Sequence, residues 1–198
     1  ANSYPWFLSV YSTLAERFHL PPMQPAELEH LRHLDFSVVL KEKKISPLKA
    51  VQMGVYLKKL MSSQIDRIPL VDGMQTVIDE LVKHDLKLAV VSSNEEDNVR
   101  RVLGAQNAAQ IIAFECGVSF LGKTAKFLSI LRKTGIHARQ ALSIGDEVRD
   151  LKSSRQAGID FGAAAWGYNT LERLREHQPE LIFTSPLQIL EALNLSAA

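Results

Sequence analysis

The sequence predicts an α/β protein, with a Rossmann-like core of parallel strands covered by helices and a small helical domain that precedes it in the chain. Three observations favour this class. Short apolar runs alternate with helical patterns from Leu86 onward, glycines follow several of those patterns, and the part before Leu86 offers no confident strand. We therefore divide the chain into a helical domain, 1–68, and an α/β core, 69–198.

The helices of the first part are predicted from apolar spacing and proline positions. Apolar side chains keep a helical period from Phe7 to Phe18, and Pro21-Pro22 ends that pattern. Further helices are expected over 26–34 and, after a Ser46-Pro47 start, over 48–61.

The strands and helices of the second part follow in alternation. Asn94 is the expected N-cap of a helix that Gly104 ends, and Leu128 and Leu131 are expected on one apolar stripe of the next helix. Strands are expected over 86–91, 111–116, 141–144, 161–165 and 181–183. Repeated βαβ units of this spacing require a parallel sheet with helices on both faces.

Composition argues against several classes of function. Lys and Arg number 23 against 22 Asp and Glu, so no field of one sign favours a nucleic acid or an anionic membrane. The run "KEKK" (41–44) is most simply a solvated surface. The single cysteine, Cys116, lies in an apolar stretch and is expected to be a buried, inert thiol in a reducing cytoplasm. No apolar segment approaches the roughly 20 residues of a membrane span.

Polar side chains of the types that bind phosphate and metal follow three of the predicted strands. The carboxyl ends of parallel strands meet at one edge of a sheet, where ligands bind, so these side chains are expected to lie close together. They are Ser92, Ser93 and Asn94 after the first strand, Lys123 after the second, and Asp146 and Asp150 after the third.

The two aspartates form the most informative pair. An acid at a helix start is ordinary, because the helix dipole favours it. However, like charges at positions i and i+4 repel by roughly 0.2–0.5 kcal/mol. A Mg²⁺ ion would reverse that sign, since it prefers one or two carboxylates together with water and phosphate oxygens. By itself the pair fits an ordinary helix start as well as a metal site, and its place in order with the residues at the other two strand ends favours the site at Asp146 and Asp150.

A competing motif overlaps Lys123. The stretch "GVSFLGKT" (Gly117 to Thr124) matches the P-loop pattern G-x-x-x-x-G-K-[ST] between a predicted strand and a predicted helix. Bulky Val118, Phe120 and Leu121 argue against it, because a phosphate-cradling loop needs small residues for its N–H groups to converge. A P-loop nucleotide-binding protein is therefore the lesser alternative.

The series "VVSSN", "GKTAKF", "SIGDEVRD" and "AG" resembles motifs II, III and IV of the haloacid dehalogenase (HAD) superfamily, above all its phosphoglycolate-phosphatase-like branch. The resemblance covers essentially the whole chain, and the N-terminal helices are similar to the family's mobile cap. It implies a phosphatase that works through an aspartyl-phosphate. It also implies that Asp146 ligates Mg²⁺ and that Asp150 ligates the ion or holds its waters.

The resemblance assigns the other strand-end residues to the phosphate. Ser92 is expected to hydrogen-bond the transferring phosphoryl group, with Ser93 and Asn94 beside it in substrate binding. Lys123 is expected to offset the negative charge that gathers around nucleophile and phosphate. Lys126 is the weaker candidate for that role.

One motif of the family is not found in the chain. No D-x-D-G-T, whose first aspartate attacks the phosphate in this family, occurs, and "ANSYPWF" resembles the stretch that follows it. We therefore expect the nucleophile upstream of Ala1 and no turnover by residues 1–198 alone. In the family the strand of that motif lies mid-sheet, between the strands that match 86–91 and 141–144, so the first core strand is expected upstream as well.

Three functions stay open on the sequence. The leading one is a Mg²⁺-dependent phosphatase acting on a small phosphorylated metabolite, with mutases and dehalogenases as sibling activities. The second is a catalytically inactive, truncated HAD-like protein with a binding or interaction role, and the third is the P-loop protein. Neither substrate identity nor oligomeric state is predicted. Candidates for contacting an acidic substrate, each more simply a surface residue, are Arg32, His33, Lys41 and Lys44.

Overall fold

A computed structural model describes residues 1–117 and 122–195. Helices α1 to α4 come first, and strands then alternate with helices, which confirms the predicted α/β class. The strands are β1 (Leu88–Val91), β2 (Ile111–Glu115), β3 (Leu142–Gly145), β4 (Asp160–Ala164) and β5 (Leu181–Phe183). The helices are α1 (Ser3–Phe18), α2 (Pro25–Arg32), α3 (Phe36–Glu42), α4 (Pro47–Ser63), α5 (Met74–Lys83), α6 (Glu96–Gln110), α7 (Gly122–Thr134), α8 (Val148–Gln156), α9 (Leu171–Arg175) and α10 (Gln188–Ala192).

The N-terminal helices follow the predicted starts and stops. Ser46 caps α4, since its Oγ accepts the Lys49 N–H at 3.3 Å. Helix α3 was not predicted, because its sequence runs into the charged segment 41–44, which favours a solvated surface. Within the described residues, every helix falls short of the length and apolar character that a bilayer crossing requires.

The start of α6 differs from the prediction. Glu95, not Asn94, occupies the N-cap position. The side chain of Asn94 is used locally instead, because its Oδ1 accepts from the Glu95 amide at 2.9 Å and from Asn98 Nδ2 at 3.0 Å. The helix was predicted to end at Gly104; this residue, with φ 76° and ψ 161°, does interrupt it, but the helix then resumes to Gln110.

Helix α7 buries a different face from the one predicted. Leu128 is exposed, and Leu131 is half-buried against Phe127 and its neighbours, so the two leucines do not form one buried stripe. Lys126 and Phe127 are the buried residues of this helix among those described. Lys126 is buried where Leu128 was expected to be, so the apolar spacing did not predict the buried face of α7.

The strands form two parallel sheets in the described residues. β1 pairs with β2, with Ala89 opposite Ala113, and a second sheet has the order β3-β4-β5, with Ser143 opposite Phe161. No ladder between β1 and β3 occurs in the described part of the chain. The gap between the two sheets lies between β1 and β3. These are the two strands that, by the family resemblance, flank the strand of the D-x-D-G-T motif.

Burial along the strands shows the same division. A strand covered by helices on both faces and by strands on both edges should be buried throughout. β4 meets that description, since every residue after its first is buried. In contrast, β1 and β3 contain no fully buried residue, and Ile144 of β3 is 38% exposed.

Two hydrophobic clusters lie around β4 and β5. Phe161 of β4, 0% exposed, packs with Val148 and Leu151 of α8 and with Leu174 of α9. Phe183 of β5 packs against α5 and α10, in a cluster with Val77, Ile189 and Leu190. The β3-β4-β5 sheet and its helices therefore form a well-buried platform beneath the end of β3.

The N-terminal helices contact the α/β part at several places. At the end of α4, Asn98 Nδ2 donates to Ser62 Oγ at 2.8 Å. At the start of α3, Asp35 lies 3.2 Å from Arg173 Nη2 and 3.7 Å from Lys152 Nζ. At the end of α2, Arg32 Nε donates to the Tyr168 carbonyl at 3.1 Å. The last two contacts place α2 and α3 beside the helices and the segment that follow β3 and β4.

Candidate functional site

The first turns of α7 connect the ends of two strands. Lys123 forms an ion pair with Asp150, which follows β3. Lys126, one helical turn further on, donates from Nζ to the carbonyl oxygen of Ser92, which follows β1, at 2.6 Å, and to the carbonyl oxygen of Gly117. Lys126 is only 6% exposed, and burial lowers the pKa of its amine. Helix α7 thereby brings Ser92 and Asp150 to one edge of the core.

The segment after β1 presents two hydroxyl groups. Ser92 N–H donates to the Glu115 carbonyl at 3.0 Å, which continues the β1–β2 pairing, and Ser92 Oγ accepts the Asn94 N–H at 3.0 Å. The Ser92 hydroxyl proton is still able to donate, and Ser93 is exposed. The amide of Asn94 is engaged within the protein, because its Nδ2 also donates to Met61 Sδ at 3.3 Å.

Asp146 is held from one side by the segment that follows β4. Its Oδ2 accepts the Tyr168 N–H at 2.8 Å, and its carbonyl oxygen accepts the Asn169 N–H at 3.1 Å. A Cβ at Gly167 would come within 3.0 Å of the Asp146 side chain, so only glycine fits there. The carboxylate is therefore fixed at one oxygen.

Asp150 is a buried carboxylate, 7% exposed. Burial raises the pKa of Asp150, the charge of Lys123 opposes that shift, and the nearby charge of Asp146 adds to it. Burial likewise raises the pKa of Glu147, against the charge of Arg149, whose Nη2 lies 2.6 Å from Glu147 Oε1. The loop after β3 thus concentrates negative charge that a cation would stabilise.

The donor set of this loop fits Mg²⁺ in part. Asp146 and Asp150 supply two carboxylates at one strand end, which is the number that Mg²⁺ takes when waters and phosphate oxygens complete its octahedron. Among the residues that the structure describes, no group of three or more His, Cys, Asp or Glu side chains could enclose a metal ion. The residues present therefore fit an open site.

Two features of the site were missed by the sequence reasoning. One is the Gly167–Asn169 segment, which the strand-end rule would have found had it been applied to β4 as well. The other is the position of Lys126, buried between two carbonyl groups. Lys126 shares its helix face with Lys123, Ser129 and Lys133, so the sequence carries no signal for its burial.

The remaining sequence candidates lie partly outside the described residues. The loop of the P-loop interpretation includes residues 118–121, which the structure does not describe. Cys116 is half-buried, and burial raises the pKa of its thiol, so the reactive thiolate is disfavoured.

The chain is similar in sequence to known hydrolases. Residues 1–164 match the haloacid dehalogenase-like hydrolase family. A phosphoglycolate phosphatase from Synechococcus elongatus is 21% identical over 193 residues, which cover 97% of this chain and 91% of that protein. A pyrophosphatase, PpaX, from Listeria innocua is 24% identical over 156 residues, which cover 75% of this chain and 70% of that protein.

Solved structures share the fold. A haloacid dehalogenase-like hydrolase from Streptococcus pneumoniae superposes with a TM-score of 0.77 at 15% identity, covering 94% of this chain and 90% of that one. CbbY from Rhodobacter sphaeroides, solved in complex with phosphate, gives a TM-score of 0.74 at 15% identity, covering 98% of this chain and 93% of that one.

Proposed function

Since the chain belongs to the haloacid dehalogenase-like hydrolase family, we propose that it is a Mg²⁺-dependent phosphatase that hydrolyses a small phosphoester. One observation carries the proposal. Lys123 and Lys126 of a single helix join the acidic loop after β3 to the serine turn after β1. Cations, carboxylates and hydroxyl donors therefore converge where a phosphate monoester needs all three. Relatives named as phosphoglycolate phosphatase and pyrophosphatase support phosphate chemistry.

The residues divide the work by their chemistry. Asp146 and Asp150 would hold Mg²⁺, which supplies positive charge to the phosphoryl oxygens when bound. The Ser92 hydroxyl donates to a phosphoryl oxygen, with Ser93 and the turn up to Asn94 lining the same position. The Lys123 ammonium, already paired with Asp150, offsets the negative charge that a phosphate adds.

The attacking group is an aspartate on a strand that precedes Ala1 and lies between β1 and β3. Its carboxylate forms a bond to phosphorus as the bond to the alcohol oxygen breaks, and the alcohol leaves after taking up a proton. Water then hydrolyses the acyl phosphate, which releases inorganic phosphate and restores the carboxylate. The separate sheets of β1 and β3 support this placement.

The helices of residues 1–68 form the cap of this phosphatase. Asp35 at the start of α3 contacts Arg173 and Lys152. Arg32 of α2 contacts Tyr168, which also donates to Asp146, so both helices lie beside the acidic loop, where a cap excludes water from the phosphate. The substrate is a phosphorylated metabolite small enough to lie beneath them.

Phosphate release from a panel of small phosphoesters, including 2-phosphoglycolate, tests the proposal. We expect turnover only in protein that carries a D-x-D segment before Ala1, and only with Mg²⁺. Asp146→Asn should reduce it by at least about 100-fold, whereas Asp97→Asn, an exposed acid of α6, should leave it unchanged. Equal phosphate binding with and without the D-x-D segment, and no turnover in either case, would instead favour the inactive binding protein.

A further inference from the structure

Arg32 of α2 is fixed against the segment that follows β4. Its Nε donates to the Tyr168 carbonyl at 3.1 Å and its Nη2 donates to the Gly167 carbonyl at 3.0 Å. Its Nη1 is paired with Glu29 at 2.8 Å, and the guanidinium lies over the Tyr4 ring at 4.6 Å. All three guanidinium nitrogens therefore already donate, and the side chain is 19% exposed. Arg32 is thus not available to a substrate in the way that the sequence suggested.

The same segment returns a hydrogen bond to α2. Asn169 Nδ2 donates to the Arg32 carbonyl at 2.8 Å. Asn169 Oδ1 accepts the Val148 N–H, the first of α8, at 2.9 Å. One amide side chain thereby joins the end of a cap helix to the start of the helix that carries Asp150.

The other side of the segment faces Asp146. The carbonyls of Gly167 and Tyr168 point at Arg32, while the N–H groups of Tyr168 and Asn169 donate to Asp146. Gly167 lies so close to Asp146 that a side chain there would overlap it. The segment is therefore held between a cap arginine and the carboxylate assigned to the metal.

We propose that Arg32 and Asn169 are positioning residues that hold the Asp146 carboxylate, through the Gly167–Asn169 segment, in the orientation that binds the metal. That Asp146 binds a metal rests on the proposed function. The chain of hydrogen bonds from Arg32 and Asn169 to Asp146 does not depend on it. Groups that orient a ligand without touching the ion commonly change metal affinity by about 10–100-fold when removed. The cap helix would then influence the metal site directly, in addition to covering the substrate.

The test measures two quantities in the purified protein with Arg32→Met and Asn169→Ala. Amide hydrogen exchange at Tyr168, without metal, reports the bond to Asp146, and we expect both variants to accelerate it at least about tenfold. Calorimetric titration with Mg²⁺ should show affinity weakened by about 10–100-fold. Arg32→Lys, which keeps the charge but loses the planar pair of donors, should fall between wild type and Arg32→Met.

Two control variants make the same kinds of substitution, Arg→Met and Asn→Ala, away from the Gly167–Asn169 segment. Arg17→Met removes an arginine that lies over the Tyr56 ring at 4.7 Å, far along the cap. Asn107→Ala removes an amide that joins α6 to α5, where its Nδ2 donates to Gln75 Oε1 at 2.7 Å. Both should leave Tyr168 exchange and Mg²⁺ affinity as in wild type, even where they reduce stability.

Each result has one meaning. Unchanged Tyr168 exchange in Arg32→Met and Asn169→Ala overturns the inference, whatever the activity. Faster exchange with unchanged Mg²⁺ affinity also overturns it, as do equal effects in the controls. If wild-type protein binds no Mg²⁺ yet the exchange changes as expected, the proposed function fails and the positioning of Asp146 by Arg32 and Asn169 stands.

Discussion

Replacing Gly167 with alanine is expected to weaken the fold and distort the acidic loop together. The new Cβ would come within 3.0 Å of Oδ2, Cβ and Cγ of Asp146. Two of these atoms are close to the Asp146 main chain, so the side chain cannot avoid the overlap by rotating its tip. It has to turn away from Tyr168, whose N–H it accepts at 2.8 Å.

The cost has two parts. Inserting a methyl group into a well-packed position costs about 1–3 kcal/mol of unfolding free energy. Leaving the Tyr168 N–H without its carboxylate partner costs about 1–3 kcal/mol more. We expect a loss of about 2–6 kcal/mol, which is a large part of the roughly 5–15 kcal/mol by which folded domains are stable. With a slope of about 2 kcal/mol per molar urea, the unfolding midpoint falls by about 1–3 M.

Urea unfolding followed by tryptophan fluorescence measures this shift, and Trp166 adjoins the substituted position. Gly54→Ala is the matched control, since nothing lies within 4 Å of a Cβ there. Because Gly54 is inside α4, that control should be more stable than wild type by about 0.5–1 kcal/mol. A Gly167→Ala variant within about 0.5 kcal/mol of wild type would refute the overlap with Asp146.

Three further substitutions have defined outcomes. Lys126→Met leaves the Ser92 carbonyl without its buried donor, and denaturant melts should show a loss of about 1–3 kcal/mol. Ser46→Ala removes the N-cap of α4 and should lower the thermal midpoint by an amount equivalent to about 0.5–1 kcal/mol. Burial, and then the charge of Arg173, lowers the pKa of His177 from 6.5, so the unfolded state takes up the proton first as the pH falls. Wild-type stability should therefore fall as the pH drops through 6.5, and melts of His177→Gln at several pH values should lack that component.

The parallel core could be predicted because its signals are local. Apolar runs bounded by glycine and polar residues predict β1 to β5, and the strand-end rule brought Lys123 and Asp150 together before any coordinates were known. The family resemblance, confirmed by the match over residues 1–164, had the same basis in consecutive motifs.

The buried lysine and the required glycine were missed because distant residues decided the outcome. Lys126 is buried because carbonyls from two other segments accept its protons, and periodicity in α7 carries no trace of them. Asn94 has a local cause instead, since its Oδ1 accepts from the Glu95 amide and from Asn98 Nδ2. Gly167 is required by Asp146, 21 positions before it, so the glycine has no explanation in its own neighbourhood.

Within the described residues, β1 and β3 each have one edge whose N–H and C=O groups pair with no strand. Such edges accept a strand by main-chain hydrogen bonds. The strand proposed to carry the nucleophile would therefore be held along both of its edges and would cover Ile144, so the position of the attacking carboxylate would depend on both sheets at once.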